Sequence, residues 1–294
     1  MTEGQQLSTF TSEAARTRFC SAYDRTLARL WPLAVEADDV DTWAGRVRVY
    51  RAGGRGPDPV VLLSGAGGNA LGWYRYVAAL ARERPVVAVD PLGEAGRSVQ
   101  TQPITDGAAA ARWLEDVLAA LGAERAHLVG SSFGGWLALE FARRAPGRVE
   151  AVTLVDPAGL SPVTGRFYRW VVLGGLTVLL PARLRHRAAR GLVNGTLLED
   201  DLMRLGLAAR GFRRRLPNPP VWSDEELAAV RTPVQVLLGA RSALHDSTAV
   251  AARLAAVAPS WRVEIVEGTG HALQVEAPDL VLDRVLAFCP TTDA

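Results

Sequence analysis

AHLVGSSFGG, residues 126–135, joins a short apolar run to a segment with helical composition, and this junction decides the fold. Within it, Gly130, Ser132 and Gly134 satisfy the pattern G-x-S-x-G. Between a strand and a helix, this pattern is typical of a nucleophile elbow, a tight turn that leaves its serine at the carboxyl end of the sheet. The alternative is a glycine- and serine-rich connection without chemistry. The context favours the elbow and predicts Ser132 as a nucleophile and Ser131 as a buried structural hydroxyl.

Other short apolar runs repeat this arrangement along the chain. The predicted strands are 59–64, 85–90, 127–129, 149–155, 234–238 and 261–266. Between and after them, apolar residues at helical spacing predict helices over about 73–84, 108–121, 133–144, 247–257 and 278–288. The alternation predicts an α/β fold with a mostly parallel sheet flanked by helices. Before it, we expect an amphipathic helix over 16–31 and an antiparallel edge hairpin or strand over 41–51.

The alternation is interrupted between residues 158 and 226, where we find no clear strand pattern but many aromatic residues, leucines and arginines. We interpret 158–226 as a helical cap inserted into one α/β core, which 1–157 and 227–294 form together. Phe167, Tyr168, Trp170 and the Leu/Val run up to Leu180 are predicted to form the inner face of this cap. Such a face would make the pocket beneath it apolar.

Composition limits the partners and the compartment. The net charge of the 294 residues is only +2, so the overall charge does not favour a nucleic-acid partner. Cys20 and Cys289 lie near opposite ends without metal-like spacing, which argues against a disulfide scaffold or metal site and suits a reducing cytoplasm. The first nineteen residues lack the apolar core of a secretory signal, and the apolar stretch 170–180 is too short for a membrane span. We therefore expect a cytoplasmic protein without a metal or organic cofactor.

A serine needs a general base to become a useful nucleophile, and the chain has four histidines. His271 lies in a glycine-containing turn directly after a predicted strand, which places it at the same edge of the sheet as the elbow. It is therefore the predicted base. His127 lies within a strand and is expected in the core or at the sheet edge. His186 lies among arginines, where a solvated or cap position is expected, and the role of His245 is left open.

Four motifs of the chain belong together: the loop 61–69 (VLLSGAGGN), the loop 90–98 (DPLGEAGRS), the elbow, and the turn 268–271 (GTGH). Over about 46–288 the chain resembles the α/β-hydrolase fold superfamily, of the carboxylesterase and C–C hydrolase type. The resemblance implies an oxyanion hole built from the backbone N–H groups of Ala66 and Phe133. In comparable systems each such donor stabilises the tetrahedral oxyanion by about 3–4 kcal/mol.

The chain departs from the family pattern at two positions. The oxyanion loop begins Ser64-Gly65 instead of His-Gly, and Ser242 stands where the family normally has its acid. Three alternatives remain for the acid that supports His271. Asp156, at the end of a strand, is our first choice, although it could simply cap a loop. Asp246 also has the right chain order but could be the N-cap of a helix, and a Ser–His dyad without a direct acid is the third alternative.

The resemblance implies a serine hydrolase that cleaves an ester, thioester or lactone of a hydrophobic small molecule through an acyl-enzyme on Ser132. Two other functions stay open: a non-hydrolytic cyclase or lyase that uses the same pocket, and a ligand-binding member without turnover.

The arginines of the predicted cap have two interpretations. We interpret them mainly as solvated helix faces. The alternative is a basic rim that recruits an anionic substrate or a carrier-borne thioester. The residues concerned are Arg183, Arg185, Arg187, Arg190, Arg204, Arg210, Arg213, Arg214 and Arg215.

Overall fold

Short β-branched runs pair into one large sheet in the computed structural model, which describes residues 7–54, 58–177 and 180–289. The strands are β1 (Thr9–Phe10), β2 (Glu36–Thr42), β3 (Gly45–Ala52), β4 (Val60–Leu63), β5 (Val86–Val89), β6 (Val99–Gln100), β7 (Ala126–Ser131), β8 (Val149–Val155), β9 (Phe212–Arg213), β10 (Val234–Gly239) and β11 (Arg262–Val266). The sheet order is β11-β10-β8-β7-β4-β5-β3-β2, with β6 also on β3. The six strands from β11 to β5 are parallel, and β2, β3 and β6 pair antiparallel. The predicted mostly parallel sheet is confirmed.

The described helices are α1 (Glu13–Leu30), α2 (Tyr74–Glu83), α3 (Gly107–Ala120), α4 (Phe133–Arg144), α5 (Gly165–Thr177), α6 (Ala182–Leu192), α7 (Asp200–Ala208), α8 (Asp224–Ala228), α9 (Ser247–Val257), α10 (Leu273–Glu276) and α11 (Pro278–Phe288). The six for which bounds were predicted, α1 to α4, α9 and α11, lie within a few residues of those bounds. In the part of the chain that the structure describes, no helix combines the length and the apolar character needed to cross a membrane.

Helices cover both faces of the sheet, as parallel strands require. Along β4, Val61 and Leu63 pack into one apolar cluster with α3, α4 and α9, whereas Val60 and Leu62 pack into a second with α1, α2 and α11. Successive side chains of a strand point to opposite faces, so a buried strand needs apolar residues at every position. This explains the uninterrupted apolar runs of the central strands.

The region 158–226 contains α5, α6, α7 and most of α8, together with a short strand that the sequence analysis did not predict. That strand is β9, which pairs antiparallel with β1, and the Phe10 and Phe212 rings lie 5.0 Å apart. The partner comes from the far end of the chain, so no local pattern around residue 212 indicates this pairing. We call residues 158–226 the insertion.

Helix α1 lies between the insertion and the sheet. Its buried Tyr23 donates a hydrogen bond to Asp90 Oδ1 (2.8 Å) at the end of β5, and Arg29 pairs with Asp201 of α7 (3.2 Å). The predicted division of the chain assigned this helix to the core. The structure shows that it contacts both the core and the insertion.

The expected orientation of the α5 region is only partly correct. Phe167 and Trp170 point inward, but Tyr168 and the apolar residues Val171, Val172, Leu173, Leu176 and Leu180 are exposed. Val178 and Leu179 of the same run lie outside the described residues. An apolar run on a helix wraps around all its faces, so hydrophobicity alone does not distinguish the inner face from the outer one.

His127 lies in the core, fully buried within β7. Its Nε2 lies 2.9 Å from Thr153 Oγ1 and its Nδ1 lies 3.1 Å from Cys289 Sγ; Cys289, like Cys20, forms no disulfide. Burial, assisted by the nearby Arg84 guanidinium, lowers the pKa of His127 to about 3. An unfolded histidine has a pKa of about 6.5. Between these values the unfolded chain binds a proton that the folded chain does not, so stability is lost as the pH falls.

We therefore expect His127→Gln to flatten the pH dependence of stability between about pH 6 and pH 4. One group that titrates only in the unfolded chain contributes up to about 1.4 kcal/mol per pH unit to the slope of the unfolding free energy. Urea unfolding of both chains at several pH values measures the two slopes. Equal slopes for His127→Gln and the wild type would contradict the conclusion that His127 stays neutral in the folded chain over this pH range.

Candidate active site

Ser132 occupies a strained turn between β7 and α4. Its backbone has φ 50° and ψ −115°, a conformation that non-glycine residues rarely adopt. The flanking glycines make the turn possible, because a Cβ on Gly130 would lie 2.3 Å from the carbonyl oxygen of Gly134. A Cβ on Gly134 would lie 2.1 Å from the carbonyl oxygen of Leu63. Ser131 is buried, as expected, while the side chain of Ser132 faces the site.

We expect Gly134→Ala to destabilise the fold by about 3 kcal/mol or more, because the contact is with backbone of β4 and cannot be relieved by a side-chain rotation. Gly191→Ala in α6 is the matched control, since no described atom lies within 4 Å of the added Cβ. There alanine should stabilise the helix by up to about 1 kcal/mol. Urea unfolding of both variants measures the difference, and equal effects would contradict the explanation of the motif.

His271 lies between Ser132 and a carboxylate. Its Nε2 is 3.1 Å from Ser132 Oγ, and its Nδ1 is 2.6 Å from Asp156 Oδ2. The Phe167 and Trp170 rings pack edge-on against the imidazole, with centroids 5.2 and 5.5 Å away, and leave it largely buried. With Nδ1–H donated to Asp156, Nε2 is free to accept the proton of the Ser132 hydroxyl.

Asp156 follows β8 directly and is completely buried, with φ 45°. Its Oδ1 accepts the backbone N–H of Gly239 (2.9 Å), and its Oδ2 accepts the Ser242 hydroxyl (2.6 Å) besides His271. Burial alone would raise the pKa of Asp156, but the hydrogen bond from His271, the charges of His245 and His271 and the Ser242 hydroxyl together hold it below its ordinary value. A carboxylate satisfied by this many donors stays ionised.

Of the two acid candidates, the structure brings Asp156 and not Asp246 to the imidazole of His271. Asp246 is exposed and accepts the backbone N–H of Ala249 (3.1 Å), so it is the N-cap of α9. Ser242, where the family acid was expected, donates to Asp156, which directly follows the neighbouring strand β8. A carboxylate therefore does lie at His271 Nδ1, but it comes from the end of β8 instead of the loop after β10.

His245, which sequence reasoning left open, is a second buried histidine on the same carboxylate. Its Nε2 lies 3.5 Å from Asp156 Oδ1, and its Nδ1 lies 3.4 Å from Ser247 Oγ. Burial lowers the pKa of His245, against the opposing effect of Asp156. Its position three residues after Ser242 in one loop was the only feature of the sequence that placed His245 near the site.

His186, by contrast, lies on α6 in the insertion, as expected.

The loop 64–69 is fixed by polar side chains next to the elbow. Ser64 Oγ donates to the carbonyl of Asn69 (2.6 Å), and Gly67 N–H donates to Glu94 Oε2 (2.9 Å). Among the described residues, the backbone N–H of Ala66 has no partner, and that of Phe133 lies in the first turn of α4, where N–H groups have no partner within the helix. Both are available to a ligand oxygen.

Glu94 connects this loop to the insertion. Besides Gly67 it accepts Arg214 Nε (2.7 Å), and the Arg214 guanidinium lies 4.8 Å from the centroid of the Phe133 ring. Burial raises the pKa of Glu94, partly offset by Arg214 and Gly67. Arg214 was predicted only as one of many cap arginines, and its role depends on a contact 120 residues away.

Two further side chains tie the insertion to the site, and sequence reasoning missed both. Arg166 of α5 donates to the carbonyls of Ser242 (2.7 Å) and His245 (2.5 Å). Glu276 accepts the backbone N–H groups of Gly195 in the insertion (2.8 Å) and of Gly270 beside His271 (2.5 Å). Burial raises the pKa of Glu276. The proximity of Glu276 to His271 along the chain was its only signal, and Arg166 had none.

A cavity of about 290 Å³ lies beside the loop 64–69, between this loop and α7. Gly65, Ala66 and Ser131 line it on the side of the elbow, and a Cβ on Gly65 would lie 3.1 Å from Ser132 Cβ. Its other walls are mainly apolar and come from Phe19, Trp73, Ala95, Leu202, Met203, Leu205, Ala209 and Val275. The cavity thus adjoins Ser132 without enclosing it.

Known proteins share this fold and up to about a third of the aligned residues of this chain. The sequence model of the alpha/beta hydrolase family matches residues 60–284 of this chain. Carboxylesterase YbfK of Bacillus subtilis is 30% identical over 296 residues, which cover 95% of this chain and 96% of the relative. The crystal structure of the B. subtilis naproxen esterase (carboxylesterase NP) superposes with a TM-score of 0.83 at 27% identity, covering 96% of this chain and all of that one. For the crystal structure of carboxylesterase CesB (YbfK), the TM-score is 0.79 at 29% identity, covering 94% of this chain and 98% of that one.

Proposed function

Because this chain belongs to the alpha/beta hydrolase family, we propose that it is a serine carboxylesterase whose nucleophile is Ser132, base His271 and acid Asp156. The observation that carries the proposal is the continuous hydrogen-bonded series from Ser132 Oγ through His271 to Asp156. The relatives are carboxylesterases by name, which favours an ester over a thioester or lactone as substrate. The acyl-enzyme itself is our inference from the geometry.

The proton moves along this series in both half-reactions. Ser132 Oγ attacks the ester carbonyl while His271 Nε2 takes its proton, and the C–O bond to the alcohol breaks as His271 returns that proton to the leaving oxygen. A water molecule then attacks the acyl-enzyme by the same route and releases the acid. Asp156 holds the Nδ1–H tautomer and stabilises the imidazolium that forms twice per turnover.

The backbone N–H groups of Ala66 and Phe133 would hold the oxyanion of each tetrahedral intermediate. They come from two different segments, so their separation depends on how the loop 64–69 is fixed. Glu94 supports this fixing, because it accepts from Gly67 and is itself held by Arg214, which packs on the Phe133 ring. We propose Glu94 and Arg214 as positioning residues for the oxyanion hole.

The cavity indicates the kind of acyl group. Its volume of about 290 Å³ is near the lower end of ligand pockets, and its walls are mainly apolar. The insertion supplies Leu202, Met203 and Leu205 to the wall, so we propose that it caps the site. We therefore propose a compact hydrophobic carboxylic ester as substrate.

The test uses an active-site fluorophosphonate and intact-mass spectrometry of the folded chain. We expect one adduct, on Ser132, together with loss of hydrolysis of a small hydrophobic ester such as an aryl butyrate. In water enriched with oxygen-18, the acid product should carry the label, which separates hydrolysis from cyclase or lyase chemistry. An unlabelled Ser132 in active protein would overturn the acyl-enzyme mechanism.

A further inference from the structure

Helix α5 is apolar on two opposite faces, and only one of them faces the protein. Phe167 and Trp170 lie on the inner face against His271. The outer face exposes Tyr168, Val172, Leu173 and Leu176, and Val172 and Leu176 are both 59% exposed. Helix α6 packs beside α5, with Trp170 Nε1 donating to the carbonyl of Leu192 (2.9 Å), and exposes Leu184. We call these exposed residues of α5 and α6 the outer face.

The charge of the outer face has one sign. Residues 165–192 include six arginines and no aspartate or glutamate. Arg166 donates to the loop after β10, and Arg185 pairs with Asp200. The side chains of the other four are exposed and form no hydrogen bond or ion pair within the described ranges: Arg169, Arg183, Arg187 and Arg190. The exposed apolar side chains therefore lie among cations that lack acidic partners.

We infer that the outer face binds an anionic lipid surface. A basic amphipathic element with exposed apolar side chains lies at a membrane interface, where the aliphatic groups enter the headgroup region and the arginines contact phosphates. A second copy of the chain fits less well, because two such faces would bring like charges together without a partner. Nucleic acid would leave the valines and leucines in water. The inference does not depend on the proposed esterase activity.

Binding to this face would leave the active site directly beneath the lipid. One side of α5 contacts His271 through Phe167 and Trp170, and the other side would contact the lipid. The same helix would therefore lie between the catalytic histidine and the bilayer. Arg166, at the start of this helix, is anchored to the loop that carries His245.

Vesicle flotation of the full chain tests the inference, with phosphatidylcholine vesicles that contain or lack phosphatidylglycerol. We expect partition onto the anionic vesicles only, weakened by salt. Arg183→Ser/Arg187→Ser should lower the partition coefficient by about fivefold per arginine. Val172→Asp/Leu176→Asp should abolish binding.

Matched controls change the same charge elsewhere. Two double variants serve as controls and should bind as the wild type does: Arg18→Ser/Arg25→Ser on α1, and Leu33→Asp/Val35→Asp. Ser132→Ala should also bind the vesicles equally well, which separates this test from the test of the esterase. Circular dichroism confirms that each variant is folded. Equal binding to both vesicle types, no binding, or equal binding of the outer-face variants would overturn the inference. So would a dimer that dissociates on Val172→Asp/Leu176→Asp while lipid binding is absent.

Discussion

Asp156→Asn should lower kcat for ester hydrolysis by about 10⁴ while the chain stays folded. The amide can still accept the Gly239 N–H through its oxygen, which places its NH₂ group opposite His271 Nδ1. Nδ1 must then accept, so the imidazole proton moves to Nε2, where it faces Ser132 Oγ. In that tautomer the histidine cannot take the hydroxyl proton.

Asp246→Asn is the matched control, since it makes the same change at the other candidate acid. Asparagine caps helices about as well as aspartate, so both kcat and the unfolding free energy should stay near the wild-type values. Steady-state kinetics with one ester and urea unfolding measure both variants. A loss of activity in Asp246→Asn but not in Asp156→Asn would refute the acid assignment, and two active variants would favour a Ser–His dyad.

The pH profile adds a second readout. The hydrogen bonds and charges around Asp156 hold its pKa below the ordinary aspartate value, so its ionised form persists as the pH falls past the range where histidines titrate. The decrease of kcat/KM at low pH in the wild type should therefore not reflect the titration of Asp156. For the same reason, the stability that this carboxylate contributes is present above about pH 4 and is lost only as the pH falls towards its folded pKa.

Ser132→Ala should lower kcat by about 10⁶ and abolish fluorophosphonate labelling. No other described hydroxyl lies within hydrogen-bond distance of His271 Nε2, so no neighbouring group can replace it. Kinetics at substrate saturation and intact-mass spectrometry measure the two effects.

Ser131→Ala provides the control for this prediction. The two serines are adjacent, but Ser131 is buried and lines the cavity wall, whereas Ser132 contacts the imidazole. Ser131→Ala should keep kcat within an order of magnitude and label normally. If Ser131→Ala were inactive while Ser132→Ala stayed active, the nucleophile would be Ser131 and our assignment would be wrong.

Local patterns predicted the elements that local interactions determine. The bounds of α4, β8, α9 and α11 agree with the sequence prediction because caps, glycines and apolar spacing lie within each segment. The turn at Ser132 was predictable for the same reason, since its glycines stand next to the residue that needs them.

What the sequence left open depends on contacts between distant segments. Which of Asp156 and Asp246 lies beside His271 depends on the side-by-side position of β8 and β10, and the strand β9 forms by pairing with β1. The outward direction of Val172 and Leu176 depends on how α5 sits on the core. None of these contacts has a signature within one stretch of chain.

The contact between Ser242 and Asp156 also limits which side chain can stand at position 242. Because the Ser242 hydroxyl lies 2.6 Å from the carboxylate, a second carboxylate at position 242 would approach the first closely enough for the two to share one proton. A chain with acids at both positions would therefore hold one of them neutral, and only the ionised one would stabilise a protonated His271.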